Sequence, residues 1–340
     1  VVMASALSGA VLASALLFAF NGFDSTTVRV TERVALTPVV AATDSNAPTE
    51  QWAQSVSAAT LDSLVMVQVD GPSGSRSGSG VVFLDDGHVL TTAGLIGASH
   101  DVSVRVGDLV HVAHVVGTDA ATDVAVLLIS DHLGLPPAVL APRPVMASGA
   151  LVAIVSARWS GSPNTSATTV RAVDVTAQIG GESVPALLEL ASSSPASAQG
   201  GAVVDASGAV VALASAPTDR RDTGYATPID IVKRVADELI ANGKASHAWL
   251  GVVGSSMTPE RAESTGIDAG AVVDEVAPSS PAAAVLHSGD VIVSLNGRTV
   301  RSMTDIVSTL RRCRSDATVT IAYVHDGVSH SGAITLQAHS

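Results

Sequence analysis

The chain reads as mainly β: a barrel or sandwich domain, then a smaller unit mixing strands and helix, with an apolar segment ahead of both. Three observations predict this. Short apolar or alternating runs recur from Leu61 to Val210, broken by Gly, Asp, Ser and Pro, a spacing typical of all-β architectures. A helical pattern over 231–242 then separates these runs from a second set of strand and turn signals that closes with a helix near 303–312. Residues 1–23 contain no charged side chain and are mostly Ala, Leu, Val and Phe.

Composition sets outer limits. With 340 residues, 47% of them hydrophobic, the chain can bury two cores, since domains usually run to roughly 100–200 residues. Net charge is −13, with 22 acidic against 12 basic residues up to Ser246 and 9 against 6 from His247 onward. Neither part offers a basic face, which argues against nucleic acid as a partner. Cys313 is the single cysteine, so an intrachain disulfide is impossible. Its place in a helical pattern beside Leu310 reads as a buried, inert thiol. His111 and His114 stand three apart in a β-rich stretch and would point to opposite faces of a strand. No metal-binding spacing is apparent among the ten histidines, and neither metal nor cofactor is expected.

The elements follow in order. Residues 1–23 are long enough to cross a hydrocarbon core of roughly 30 Å as a helix. A cleaved secretory signal is the competing reading, but the apolar stretch is long for one, and 16–24 lack a small-x-small site. An uncleaved signal-anchor is favoured. Residues 24–60, with Pro38 and Pro48 and no clear periodicity, read as a tether. Strands are expected at 63–69, 80–84, 102–106, 110–116, 124–129 and 151–155. The helix at 231–242 carries Val232, Val235, Leu239 and Ile240 on one stripe, with Pro228 before it and Gly243 after it. A second domain is expected at 247–340.

Four motifs carry a family resemblance. Ser197-Ala198-Gln199-Gly200-Gly201-Ala202-Val203-Val204-Asp205-Ala206-Ser207-Gly208 resembles the Gly-Asn-Ser-Gly-Gly-Pro-Leu…Asp-Gly signature of HtrA-like serine proteases. The run from Gly78 to Ile96, with Asp86-Gly87-His88-Val89-Leu90-Thr91-Thr92-Ala93-Gly94, is similar to the segment that carries the family's catalytic histidine. Asp119-Ala120-Ala121-Thr122-Asp123-Val124-Ala125-Val126-Leu127 resembles the strand with the catalytic aspartate. Beyond the helix, Leu250-Gly251-Val252, Gly270-Ala271-Val272-Val273, Ala277-Pro278-Ser279-Ser280-Pro281-Ala282-Ala283-Ala284, Ser288-Gly289-Asp290-Val291-Ile292 and Leu295-Asn296-Gly297 resemble a bacterial PDZ domain. The resemblance, from about residue 61 to about 338, implies a trypsin-like double β-barrel at 61–246 and a PDZ domain at 247–340.

In that register only the aspartate of the triad remains, at Asp123, while Gly94 and Gln199 hold the histidine and serine positions. A serine hydroxyl attacks a peptide carbonyl only when an imidazole removes its proton, and an aspartate orients that imidazole. Glycine accepts no proton, and an amide is neither nucleophile nor base at neutral pH. Ser197 stands where the family has a glycine that shapes the oxyanion turn; His88 and His100, six residues either side of Gly94, read as ordinary surface or turn histidines. The PDZ resemblance implies peptide binding, with the carboxylate loop at Leu250, Gly251 and Val252 and a side-chain pocket lined by Ile306 and Leu310. For each of these apolar residues a plain core role is an equal alternative.

The expected function is therefore that of a membrane-anchored, extracytoplasmic pseudoprotease whose PDZ domain binds peptide or protein C-termini, in envelope protein quality control or protease regulation. The resemblance also implies association with an active protease or with further copies as a trimer. Two alternatives stand beside it: an active serine endopeptidase with a rearranged site, and a structural envelope protein.

Overall fold

The structure, a computed structural model, describes residues 33–34 and 50–339, apart from 72–73, 132–133, 143–145, 159–162 and 221. The expected membrane-spanning segment at 1–23, and the tether up to residue 49 save for strand Arg33–Val34, lie outside the described residues. Among the described residues no helix is long and apolar enough to cross a membrane.

The tether expected through residue 60 is shorter than that. Helix α1 (Glu50–Ser57) buries Ala53 and Ser57, and Trp52 and Val56 pack on the main core. The Thr60 hydroxyl donates to Gly208 O at 3.2 Å. One side of this helix is apolar enough to dock, so the folded domain takes in residues 50–60.

Six strands close the first barrel in the order Leu64–Val69, Arg76–Val82, His88–Thr91, Val124–Ile129, Leu109–Asp119 and Val102–Val106, the last pairing back to the first. The period of two is plain in Leu64–Val69, where Val65, Val67 and Val69 are at most 1% exposed and enter the barrel. Short helix α2 (Ala93–Ile96) follows the third of these strands in sequence. The second barrel runs Val210–Ala214, Ala202–Val204, Leu151–Ser156, Asn164–Ile179, Glu182–Leu190 and Gly224–Pro228, which pairs again with Val210–Ala214. Closure of both sheets removes their edges, and the double β-barrel expected from the sequence is the observed architecture.

Helix α3 (Ile229–Asn242) leaves the second barrel, burying Val232, Val235 and Leu239, and Gly243 caps it in the left-handed conformation at φ 71°. The last domain holds a sheet in the order Val252–Ser256, Ala271–Val276, Val291–Leu295, Thr318–His325 and Val328–Thr335. It also contains helices α4 (Pro259–Thr265) and α5 (Met303–Arg312). Its own core gathers Leu250, Val273, Ile292, Leu295, Ile306, Ile321 and Cys313. Cys313 is buried, its thiol donates to Thr309 O at 3.3 Å, and burial pushes its pKa up, as suits an inert thiol.

Candidate functional site

Asp123, Gly94 and Gln199 meet, although they come from a barrel turn, a helix and the opposite barrel. Gly94, in α2, donates its N–H to Asp123 Oδ1 at 2.8 Å. A Cβ placed on Gly94 would lie 3.3 Å from Asp123 Oδ1 and 3.4 Å from Gln199 Nε2. A side chain at position 94 would therefore stand between the carboxylate and the residue at 199, where a histidine has to stand to bridge an aspartate and a nucleophile.

Asp123 shows what that gap does to a carboxylate. It is only 4% exposed and sits at φ 55°, in the left-handed region that aspartate tolerates better than most residues. Burial raises its pKa to about 6, against smaller lowering pulls from the Gly94 N–H and the Ser215 hydroxyl. The Ser215 pull is weak: Ser215 Oγ and Asp123 Oδ2 are both buried without a hydrogen bond of good geometry. A neighbouring imidazole N–H would favour the charged form; glycine supplies only its backbone amide.

The Gln199 loop keeps its framework. Gly200 adopts φ 79°, and a Cβ there would fall 2.2 Å from Ser79 O and 2.3 Å from Thr91 Oγ1, so only glycine fits. Ser79 N–H donates to Gln199 O at 2.7 Å, tying the loop to the first barrel. The oxyanion donors are another matter. Residues Ala196–Ala198 wind into a 3₁₀ turn, Ala198 N–H donates to Pro195 O at 2.8 Å and Gln199 N–H to Ala196 O at 3.2 Å. The amide at the nucleophile position is thus spent inside the loop rather than aimed at a developing oxyanion.

Among the described residues no nearby histidine takes over. His88 is 9% exposed, more buried than a surface histidine, and its Nδ1 lies 2.6 Å from Asp86 Oδ1. His100 is exposed. Ser197 contributes its carbonyl to the Ser79 hydroxyl at 2.7 Å.

In the last domain, among the described residues, strand Val252–Ser256 pairs on one side only, with Ala271–Val276, which leaves a sheet edge with Val253 60% exposed. Among the described residues neither Leu250 N–H nor Gly251 N–H donates to a backbone carbonyl, while their carbonyls accept from Ala282 and Ala277. Gly251 sits at φ 84°, and a Cβ there would come within 2.0 Å of Ser280 Cβ. Of the residues expected to line the groove, Leu250 and Ile306 are 1% exposed and belong to the core, whereas Val252 and Leu310 are half-buried. Helix α5 reaches the strand where Met303 N–H donates to Ser256 Oγ at 3.3 Å.

The opposite end of α5 is held by the barrels. Arg312 lies 2.7 Å from Asp174 and 3.0 Å from Asp230, and Arg298 lies 2.8 Å from Asp174. Arg234 of α3 donates to Arg311 O at 3.1 Å. His247 Nε2 approaches Asp119 Oδ1 at 2.9 Å. Burial would raise the Asp119 pKa, but His247, the Thr122 hydroxyl and nearby Arg311 together bring it below the usual value.

Comparison with known proteins matches the order of the two folds. The model of the trypsin-like peptidase domain matches residues 78–213, and that of the PDZ domain matches 251–336. A probable periplasmic serine endoprotease, DegP-like, from Pseudomonas savastanoi pv. phaseolicola is 32% identical over 284 residues, covering 77% of this chain and 56% of that protein. The chain is HtrA/DegP-like, a trypsin-fold domain followed by a PDZ domain. The serine endoprotease DegS of Escherichia coli is 26% identical over 277 residues and covers 77% of each chain. The solved HtrA-type protease AlgW with tripeptide superposes with a TM-score of 0.67 at 23% identity, over 86% of this chain and 98% of that one. This HtrA/DegP-like chain spans little more than half the length of the DegP-like relatives, 56% and 58% for two of them.

Proposed function

We propose that the chain is a catalytically silent member of the HtrA/DegP-like group, anchored in the membrane by residues 1–23 with its folded domains outside the cytoplasm. It works by recognition: the PDZ domain takes peptide or protein C-termini, in envelope protein quality control or in regulating an active protease. One observation carries the silent site. Position 94, between Asp123 and Gln199, is a glycine. No group there can accept a proton, and Gln199 offers no hydroxyl to lose one. Removing triad members from a comparable protease lowers turnover about 10⁶-fold, or about 8 kcal/mol of transition-state stabilisation.

Recognition is supported by the free edge of strand Val252–Ser256 and by the unspent N–H groups of Leu250 and Gly251. An added strand can pair with that edge while those amides hold its carboxylate. The half-buried Val252 and Leu310 flank the place for its last side chain. The similar HtrA-type protease AlgW has been solved with a tripeptide and with a decapeptide, which fits a scaffold that receives short peptides. The periplasmic names of the relatives support the extracytoplasmic setting.

Calorimetry on the chain with peptides ending in an apolar residue tests the reading. Free-acid peptides should bind at a Kd on the order of micromolar, about −8 kcal/mol, and C-terminal amidation should weaken them at least tenfold. Equal affinity of free and amidated peptides, or no binding across a C-terminal library, would defeat the recognition mechanism.

A further inference from the structure

A second cluster of chemistry-bearing side chains lies in the PDZ domain, outside both the protease-like site and the peptide groove. His287 and Asp290 belong to the turn that enters strand Val291–Leu295, and His325 ends strand Thr318–His325. Pairing of Val291 with Val324 sets Asp290 beside His325, although the two are far apart in sequence. The neighbouring strand adds His330 opposite Tyr323.

Asp290 is fully buried, and both its oxygens are engaged: Oδ2 accepts the His287 N–H at 2.8 Å, and Oδ1 lies 2.6 Å from His325 Nδ1. The first contact is what any turn aspartate makes. The second does more, because a proton on Nδ1 fixes the tautomer and turns the Nε2 lone pair outward, where the exposed Asp326 carboxylate lies 3.6 Å away. Metal-binding histidines are commonly held this way by a carboxylate behind them. One donor atom each from His287, Asp290 and His325 lies within 4.8 Å of the others. The rings of His287 and His325 have centroids 5.6 Å apart and are tilted by 52° rather than stacked. Two imidazoles on one tetrahedral ion have centroids about 5 Å apart, given metal–nitrogen bonds of about 2.0–2.1 Å. His330 stands 6.3 Å from His325.

We propose that His287 and His325, backed by Asp290, form a binding site for one divalent cation of the zinc, nickel or copper class, with His330 a rotamer change away as a third imidazole. The buried carboxylate orients His325 and supplies compensating charge. Imidazole donors suit these ions, whereas Mg²⁺ and Ca²⁺ prefer all-oxygen sites. An ion there would tie the turn before strand Val291–Leu295 to the turn between the last two long strands, stiffening the PDZ sheet on a side that neither the peptide edge nor Gly94 uses.

The test is calorimetry of the full chain with ZnCl₂ at neutral pH, with MgCl₂ in parallel and with thermal melts of every variant in the absence of metal. One Zn²⁺ should bind per chain and Mg²⁺ should not. His287→Ala and His325→Ala should each weaken zinc at least tenfold, and the double variant should abolish it; His287→Ala should leave the metal-free melting temperature unchanged, whereas His325→Ala should lower it, because it leaves the buried Asp290 Oδ1 without its partner. His111→Ala, at a histidine paired with Asp131 in the first barrel, should change nothing. Asp290→Asn should also weaken zinc, by about 10- to 100-fold; if it fails to fold, the two histidine variants decide alone. No zinc binding, or binding untouched by the double variant, would overturn the site and reduce the cluster to a hydrogen-bonded turn. Neither outcome bears on peptide recognition or on the silence of the protease-like site.

Discussion

At the scale of single residues, the carboxylate at 123 is the informative one, because its environment no longer matches its charge. Burial holds its pKa near 6, above the ordinary value of 3.8. The sign follows from linkage. Below about pH 4 Asp123 is protonated in both states and its contribution to stability is at its maximum. Between about pH 4 and 6 the unfolded chain has given up a proton that the native chain still holds, so stability falls as pH rises, and above pH 6 the deficit is constant. A shift of this size corresponds to about 3 kcal/mol. Asparagine tolerates the left-handed backbone and can still accept the Gly94 N–H without burying a charge. Asp123→Asn should therefore stabilise the protein at pH 7.5 by about 2–3 kcal/mol and change little at pH 4. Urea unfolding at the two pH values checks this, and a variant less stable than the parent at pH 7.5 would show that the carboxylate has a charged partner after all.

That residue shows how far the sequence could be read. Motif spacing singled out Asp123, Gly94 and Gln199, and the structure brings the three together. The raised pKa was not, because it depends on burial and on an absent partner. The core-or-groove ambiguity at Leu250 and Ile306 was equally out of reach, since apolar residues look alike on either side of a pocket wall. His287, Asp290 and His325 escaped notice because sheet pairing, not local spacing, unites them.

At the scale of elements, the strands at 102–106 and 124–129 were legible to the residue because both are compact apolar or alternating runs. The long hairpin of Asn164–Ile179 and Glu182–Leu190 was not anticipated. Its first strand is rich in Thr, Ser and Ala and only partly buried, so its alternation is weak. A signal was present in Gly180-Gly181, where both residues have positive φ and Ile179 pairs with Glu182 across a two-residue turn. The loop at Gly251 makes an element-scale prediction. Alanine there meets left-handed strain and the Ser280 Cβ at 2.0 Å, so Gly251→Ala should cost about 3 kcal/mol and weaken C-terminal peptides. Adding Ser280→Gly should return part of that stability by removing the clash, leaving about 1 kcal/mol of backbone strain. If thermal melts show no rescue, the loop does not pack on Ser280 as described.

At the scale of the whole molecule, two domains with separate cores share a polar seam. The order of domains was legible, because each has its own motifs, but the seam was not. It depends on Asp174, held at φ 56° on a strand that gave no signal, meeting Arg298 and Arg312 of a distant segment. Arg312 is largely buried, so its loss leaves Asp174 and Asp230 poorly compensated. Arg312→Met should loosen the PDZ domain by about 1–3 kcal/mol. Trypsin cleavage after exposed Lys244, between α3 and the PDZ domain, should then accelerate, and an unchanged rate would mean the ion pairs do not hold the domains together.

Catalytic silence is the central claim, and it is most directly tested by exposing the purified chain, the single variants Gly94→His and Gln199→Ser, and the double variant to a fluorophosphonate probe. The parent and both single variants should take up no label, because each lacks a base, a nucleophile or both. The double variant has a hydroxyl and has room for an imidazole between it and Asp123, so any label should appear there alone. Stoichiometric labelling of the parent chain, with cleavage of an unfolded substrate that the probe abolishes, would contradict the account.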